Sequence, residues 1–543
     1  MKHTPLNRRD FLKTFGASIA VTTAATTLAS CTVNANRAPQ GLSQTATEME
    51  PIVDPQTLEK PNLTIGYVPV NDCAPFAIAW EKGFFRKYGL NVTLSREASW
   101  ATSRDGVIFG RLDASPVVSG AVTNARIGAE GARHAPMCAA MTIHRHGNAM
   151  TMNRAMWEAG LRPWHEYNGD LETFGRDFRR YFEGLPADQR IWAVVLSSAI
   201  YEYFIRYVSA AAGVDPLSEF RVTIVPPPQM VTNMRIGAMQ AYMVAEPWNT
   251  RAIQGNEGIG FTFAQGKEIW RGHPDRLLAV MESFIDENPK TYRALVKAMI
   301  EACQYCSKPE NREEVAQIIT GRSFTGARPK TCPTPTTITP DNLPSLPECA
   351  TKFTGPGIIG EYNYGGFDGK DRTIADTDTT IFYDLPPDLS EPAHAHSTFL
   401  WRSQSLWLMT QAARWGQIRE IPANAEELTK KAWRSDLYRE IAAEMSIPCP
   451  TEDYKLEPAT AFIDQKPAPR LRRLRRTICP PCPNAPPSSQ VQELLANTTT
   501  ADLTAKTARS PTPTPPSSTT FLLTSQNLPT PTRLSCGDRK ASG

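Results

Sequence analysis

The stretch LTIGYVPVNDCAPFAIAWEKGFFRKYGLNVTL, residues 63–94, decides the fold. LTIGYVPV alternates apolar and polar residues with the period of two that a strand requires. NDCAPF interrupts it. AIAWEKGFFRKYG then spaces its apolar residues at helical intervals and stops at Gly89, and LNVTL resumes the strand pattern. This is a β-α-β unit. The pattern returns in IWAVVL followed by SAIYEYFIRYVSAAAG, and in FRVTIVPP followed by VTNMRIGAMQAYMVAEPW. Strands alternating with helices imply α/β lobes with mostly parallel sheets covered on both faces. Two such lobes fit roughly 400 residues, and the cleft between them is the default place for a ligand.

The 543 residues are 41% hydrophobic and 21% charged, which suits a globular body with tails. The formal charge of +3 is unevenly distributed: residues 467–543 carry ten Lys/Arg against three Asp/Glu, and residues 1–30 carry four against one. Residues 31–466 are therefore left at −7. An acidic body argues against nucleic acid as a partner, because duplex binding needs a clustered basic face.

Residues 1–30 read as a twin-arginine export signal, with Arg8-Arg9 followed by Asp10-Phe11-Leu12-Lys13 and a modestly apolar run. Leu28-Ala29-Ser30-Cys31 reads as a lipobox, so cleavage would leave Cys31 as an acylated N-terminus holding the protein at a membrane surface. Residues 31–62 are polar and rich in Thr, Pro and Gln, as a tether would be. The two-lobed body is expected over residues 63–466, interrupted by a proline-rich insert at about 328–349. After FIDQK the composition changes abruptly, and residues 467–543 cannot bury enough surface to offset ordering; they read as a disordered tail or a frameshifted reading of the gene.

The eleven cysteines are scattered through a long chain, so they do not read as a disulfide framework. Cys303 and Cys306 sit in a helical pattern and Cys479 and Cys482 flank prolines in the tail, without a second pair at zinc spacing. His144 and His146, in IHRHGN, are placed at i, i+2 on a strand and would share a face, but no third ligand is evident near them in sequence. His394 and His396 in PAHAHS repeat that spacing in a loop. No metal and no cofactor is expected.

The opening stretch, together with GRLDAS, MVAEPWNTRAI, GEYNYGGFDGKDRT and STFLWRSQSLWLMTQAARWGQI, resembles the nitrate/bicarbonate branch of periplasmic substrate-binding proteins. The resemblance runs from about Leu63 to Lys466. It implies a non-enzymatic, lipid-anchored receptor on the periplasmic face of the inner membrane, capturing nitrate or nitrite between its lobes for the permease and ATPase subunits of an ABC transporter. Bicarbonate or sulfonate receptors of the same fold are the alternatives, and a pyrimidine-synthesis-type enzyme is the alternative of a different class. The enzyme would need a histidine and cysteine-rich active segment, and the sequence has no such cluster.

The resemblance also implies site residues. The family's indole after the second strand matches Trp100 in ASWATSRD, with backbone donors near Thr102. Its side-chain amide matches Asn148 in HGNAM and its cation matches Arg271 in IWRGHP. Where the family has a histidine, SAIYEY offers Tyr201. Nitrate needs N–H donors near its plane and a fixed positive charge, which Trp100, Asn148 and Arg271 would provide. Bicarbonate can itself donate a hydrogen bond, and relatives that bind it use a carboxylate and calcium in this region; Arg271 therefore argues for nitrate. Glu246 in EPWN is expected to fix local structure, and Asp105 to pair with Arg104 or cap a helix.

Overall fold

The computed structural model describes residues 49–129, 134–197, 199–255, 258–321, 324–327, 350–384, 396 and 398–466. The signal segment with Cys31, the proline-rich insert, His394, the Cys479–Cys482 pair and the tail lie outside the described residues. Order begins before Leu63. A 3-10 turn at Pro55–Thr57 precedes the first strand, Leu58 is buried, and Ile52 donates its backbone N–H to Lys87 O at 2.8 Å. The end of the expected tether is therefore part of the body.

The opening stretch folds as its periodicity predicts. Strand β1 (Asn62–Tyr67) runs parallel to β2 (Asn91–Arg96), with helix α1 (Ala74–Glu81) between them. Strand β3 (Ser115–Val118) follows helix α2 (Trp100–Ile108), and Gly66 N–H donates to Ala114 O, which extends the parallel set. On the other side of β3 the pairing reverses. Strands β4 (Met137–His146) and β10 (Pro274–Met281) are antiparallel, β10 lies between β3 and β4, and the two-residue strand Thr380–Ile381 pairs antiparallel with the far edge of β4.

The second sheet repeats the design in the order β7-β6-β8-β5-β9. Strands β6 (Ile191–Val194), β7 (Arg221–Ile224) and β8 (Ala241–Ala245) are parallel; β5 (Asn148–Asn153) and β9 (Gly260–Gln265) are antiparallel to their neighbours. Both sheets are thus mixed, and most of their strands run in the direction of the β-α-β set, as expected. The cause is connectivity. The chain passes from the first sheet to the second through β4 and β5, and returns through β9 and β10; of these, β10 in the first sheet and β5 in the second run against the β-α-β set.

The outward crossing bends at Gly147 (φ +81°), preceded by His146 at φ +61°. A left-handed pair at this junction suits glycine and breaks the strand between two registers. The return crossing passes a short helix at Gly266–Ile269 and the left-handed Gly272. Around the second sheet the core is aromatic: Phe174, Phe178 and Phe182 recur every fourth residue on one face of helix α3 (Leu171–Glu183) and stack against Phe263, Trp192 and Phe220. Asp170 caps that helix by accepting from Thr173 N–H at 2.9 Å. No helix among the described residues is long and apolar enough to cross a membrane.

Candidate functional site

The ends of several elements meet where the sheets face each other. Past β1, the turn Asn71–Cys73 carries Asp72. Helix α2 starts at Trp100 because Ser99 and Thr102 form a reciprocal capping box, and this start leaves the indole 1% exposed. From the second sheet comes helix α4 (Ile200–Ala211), whose Ile200 N–H donates to Ser119 O at 3.0 Å. Strand β10 carries Asp275 and Arg276, and Arg276 stands in register with Val118 on one side and His144 on the other.

Arg276 is the centre of this cluster. Its guanidinium is fully buried, with Nε paired to the Asp72 carboxylate and Nη1 at 3.0 Å from Asp275 Oδ2. Nη2 donates to the Tyr201 hydroxyl at 2.8 Å, and Tyr201 in turn donates to Asp275 Oδ2 at 3.0 Å. The guanidinium lies 4.1 Å from the centre of the Trp100 ring and 5.3 Å from that of Tyr201. Burial opposes the charge on Arg276, but Asp275 and Asp72 hold its pKa above the usual range. Burial pushes Asp275 up, against the pull of Arg276. The Trp100 Nε1–H is buried without a hydrogen-bond partner and lies beside the cation. His144 Nε2 stands 3.7 Å from Asp72 and 3.8 Å from Asp275. Two carboxylates face one guanidinium, so with His144 neutral the cluster carries an excess negative charge.

Of the residues expected from sequence, the structure brings together Trp100 and Tyr201. Thr102 does not join them. Its backbone N–H and hydroxyl are engaged with Ser99 in the cap and its side chain is exposed. Arg271 lies at the surface, 47% exposed, in an ion pair with Asp378 at 3.2 Å. The strand that enters the cluster begins three residues later at Pro274, so it carries Arg276 there in place of Arg271. Asn148 sits at the crossing between sheets, where its amide donates to His146 O (3.3 Å) and to His273 Nε2 (2.8 Å). Those bonds take both amide hydrogens, and Asn148 Oδ1, an acceptor, is the atom left without a partner.

The other expectations divide similarly. His146 turns away from His144: its Nδ1 donates to Asp378 O and its Nε2 accepts from Gly272 N–H, each at 2.8 Å. Burial drives His273 down to about 3, so this ring is neutral. Cys303 and Cys306 are buried inside the helix Pro289–Ser307, and burial raises both thiols, as inert core cysteines require. Arg104 Nε donates to Asp105 at 2.8 Å, the expected pairing. Glu246 fixes its neighbourhood, accepting from Thr250 N–H (3.1 Å) and the Tyr362 hydroxyl (2.9 Å). Its backbone O accepts from Asn71 N–H at 2.7 Å, and Trp248 Nε1 donates to Pro69 O at 3.1 Å, so EPWN also latches the first sheet's loop to the second sheet.

Sequence reasoning missed Asp72, Asp275 and Arg276, and it weighed His144 only as a chelate with His146. The available signal was the charged pair Asp275-Arg276 inside an otherwise apolar strand, PDRLLAVM, since a buried charge demands a partner.

Residues 56–320 match the NMT1-like family. The nitrate import ATP-binding protein NrtC of Synechocystis sp. is 32% identical over 392 residues, covering 72% of this chain and 51% of that protein. The bicarbonate-binding protein CmpA of Synechococcus elongatus is 29% identical over 465 residues, covering 82% of this chain and 90% of CmpA. The chain spans about half the length of the first curated relatives it matches. The crystal structure of the periplasmic nitrate-binding protein NrtA from Synechocystis PCC 6803 shares the two-lobed fold with a TM-score of 0.62 at 24% identity, covering 77% of this chain and 96% of that one.

Proposed function

Because residues 56–320 match the NMT1-like family, we propose that the chain is the extracytoplasmic substrate-binding component of an ABC transporter, capturing nitrate or nitrite between its lobes for a membrane permease and its ATPase. The observation that carries the reading is the indole Nε1–H of Trp100, buried without a partner beside the Arg276 guanidinium where the two sheets meet. A planar cation and an unspent N–H donor, both buried, are what a planar oxyanion requires. Arg276 takes the part first assigned to Arg271. Trp100 and Tyr201 remain in the proposed contact set; Thr102, Asn148 and Arg271 leave it. The role is binding, not catalysis.

Bicarbonate is the second reading, and the buried carboxylates of Asp72 and Asp275 favour it. A ligand that donates a hydrogen bond gains from them, whereas nitrate, which only accepts, is repelled. Calorimetry with nitrate, nitrite, bicarbonate with and without calcium, and taurine separates these readings. Nitrate or nitrite binding supports the first, bicarbonate binding alone the second, and taurine binding alone overturns both.

The lipid anchor belongs to the same proposal. Cys31 would carry the acyl chains after twin-arginine export, tethering the receptor at the periplasmic face of the inner membrane. Replacing Cys31 with Ser should abolish incorporation of labelled palmitate, and deleting Arg8 and Arg9 should strand the protein in the cytoplasm. Unchanged labelling or export would sink the corresponding part.

A further inference from the structure

His144 stands apart from its neighbours in the buried cluster. It is 1% exposed, and neither ring nitrogen has a hydrogen-bond partner, whereas His146 and His273 are each engaged through both nitrogens. A buried imidazole with two unmet polar atoms is costly unless something binds it. What it faces is two carboxylates, each with an Oδ1 that also lacks a hydrogen-bond partner. The donor atoms of Asp72, His144 and Asp275 all lie within 4.8 Å of one another. Ligands at about 2.0–2.2 Å from a tetrahedral metal ion stand roughly 3.3–3.6 Å apart. The measured separations of 3.7 and 3.8 Å from His144 Nε2 are a few tenths of an ångström wider, within reach of side-chain adjustment.

We infer that Asp72, His144 and Asp275 form a binding site for one divalent first-row metal ion, and that the bound ion makes the cluster receptive to an oxyanion. The second half rests on the transport reading above; the first does not. Charge supplies the link. Two carboxylates and the Arg276 guanidinium sum to −1, and a monoanion entering the dry pocket would take that to −2. A divalent ion brings it to +1, and a monoanionic oxyanion then completes neutrality. Arg276 has a part in this arrangement: by ion pairing with both carboxylates it orients them from behind, as outer-shell partners of metal ligands do. One imidazole with two carboxylates suits Zn²⁺ or Co²⁺, whereas Ca²⁺ takes six to eight oxygen ligands. The donor set therefore does not fit the calcium that the family resemblance associates with bicarbonate.

The test uses the full chain, stripped with a chelator and free of oxyanions. Zn²⁺ is titrated by calorimetry and Co²⁺ by visible absorption, in the parent, in His144→Gln and in Asp275→Asn. One site should bind Zn²⁺ at least about 100-fold more weakly in either variant, and the Co²⁺ absorption bands should disappear in both. X-ray absorption of the Zn²⁺-loaded parent, which needs no variant to fold, should show imidazole and oxygen scatterers without sulfur. Equal metal affinity in parent and variants, a sulfur shell, or preference for Ca²⁺ over Zn²⁺ would overturn the site. The oxyanion titrations are then repeated on stripped and Zn²⁺-loaded protein. Oxyanion affinity that rises at least about tenfold on loading supports the coupling, and equal affinity overturns it. A zinc site that forms while no oxyanion binds in either state defeats the transport reading and leaves the metal site standing.

Discussion

Replacing Arg276 with Met tests the claim that one guanidinium organises the buried cluster. Methionine fills much of the volume and keeps an apolar contact with Trp100, so the change isolates the charge and its hydrogen bonds. What is lost is the pairing with Asp72, the 3.0 Å contact with Asp275, the 2.8 Å bond to Tyr201 and the cation–π contact at 4.1 Å. Removing one partner of a buried ion pair costs about 3–5 kcal/mol, because the other charge stays buried uncompensated. Two carboxylates are stranded here, so the loss at pH 8 should lie in that range. The pH dependence follows from Asp275, whose pKa burial already raises with Arg276 in place. A raised carboxyl contributes stability that is present below its unfolded pKa and lost as pH rises through its folded pKa. Without Arg276 the folded pKa climbs further, so the penalty should be smaller at pH 5 than at pH 8. Urea unfolding of chelator-treated protein, followed by tryptophan fluorescence at both pH values, reads both quantities from midpoint and slope. A loss under about 1 kcal/mol at pH 8, or the same loss at both pH values, would refute a site organised by this cation.

Trp100→Phe keeps a ring under Arg276 but removes the unpartnered N–H; oxyanion affinity measured by calorimetry should fall about tenfold, the worth of one hydrogen bond, and an unchanged Kd would remove Trp100 from the contact set. Arg271→Ala breaks only a surface ion pair, so stability should change by less than about 1 kcal/mol and oxyanion Kd by less than about threefold; a larger loss of affinity would return Arg271 to the site. At Gly266 an added Cβ would run into Asn148 Oδ1 and the His273 ring, so Gly266→Ala should cost about 1–3 kcal/mol in denaturant unfolding, and a neutral result would mean that the crossing is loosely packed. His273, held at about 3 when folded, is depressed below its unfolded value, so its contribution is present above about pH 6.5 and is lost as pH falls. Between pH 6.5 and pH 5 that loss should be about 1.5 kcal/mol in the parent and absent in His273→Gln; parallel stability curves for the two proteins would contradict it.

The β-α-β unit was legible because strand and helix periodicities change within 32 residues, and local pattern suffices to define it. The antiparallel strands were not. β4, β5 and β10 are buried on both faces, so they lack the apolar–polar alternation that marks a half-buried strand. β4 and β10 pair across more than 100 residues of chain. The site divided along the same line. Trp100 and Tyr201 were legible through motif resemblance, since each stands at the start of a helix that follows a recognisable strand. Asp72, His144 and Arg276 come from a turn and two strands far apart in sequence, and only the antiparallel pairing of β4 with β10 sets His144 beside Arg276. Arg271 and Arg276 are five residues apart in one charged stretch. What separates them is the start of β10 at Pro274, a boundary that residue type alone does not mark.

That boundary also explains how binding could drive closure. Asp72, Trp100, His144, Asp275 and Arg276 all belong to the first sheet or its loops, whereas Tyr201 is carried by the second. Besides the bonds of Tyr201 to Asp275 and Arg276, hydrogen bonds that join the two sides include Asn71 to Glu246, Trp248 to Pro69 and Ile200 to Ser119. Separating the lobes at Gly147 and Gly272 would break these while leaving the ion pairs of Arg276 with its two aspartates intact. The first lobe therefore presents a preassembled, charged half-site, and the second supplies a hydroxyl and the cover that excludes water. Once a divalent ion has brought the half-site to a net positive charge, an oxyanion that neutralises it gains most when water is excluded, because electrostatic interactions strengthen as the local dielectric falls. Its free energy of binding is then largest in the closed form, which is the condition for a ligand to shift a hinged receptor toward closure.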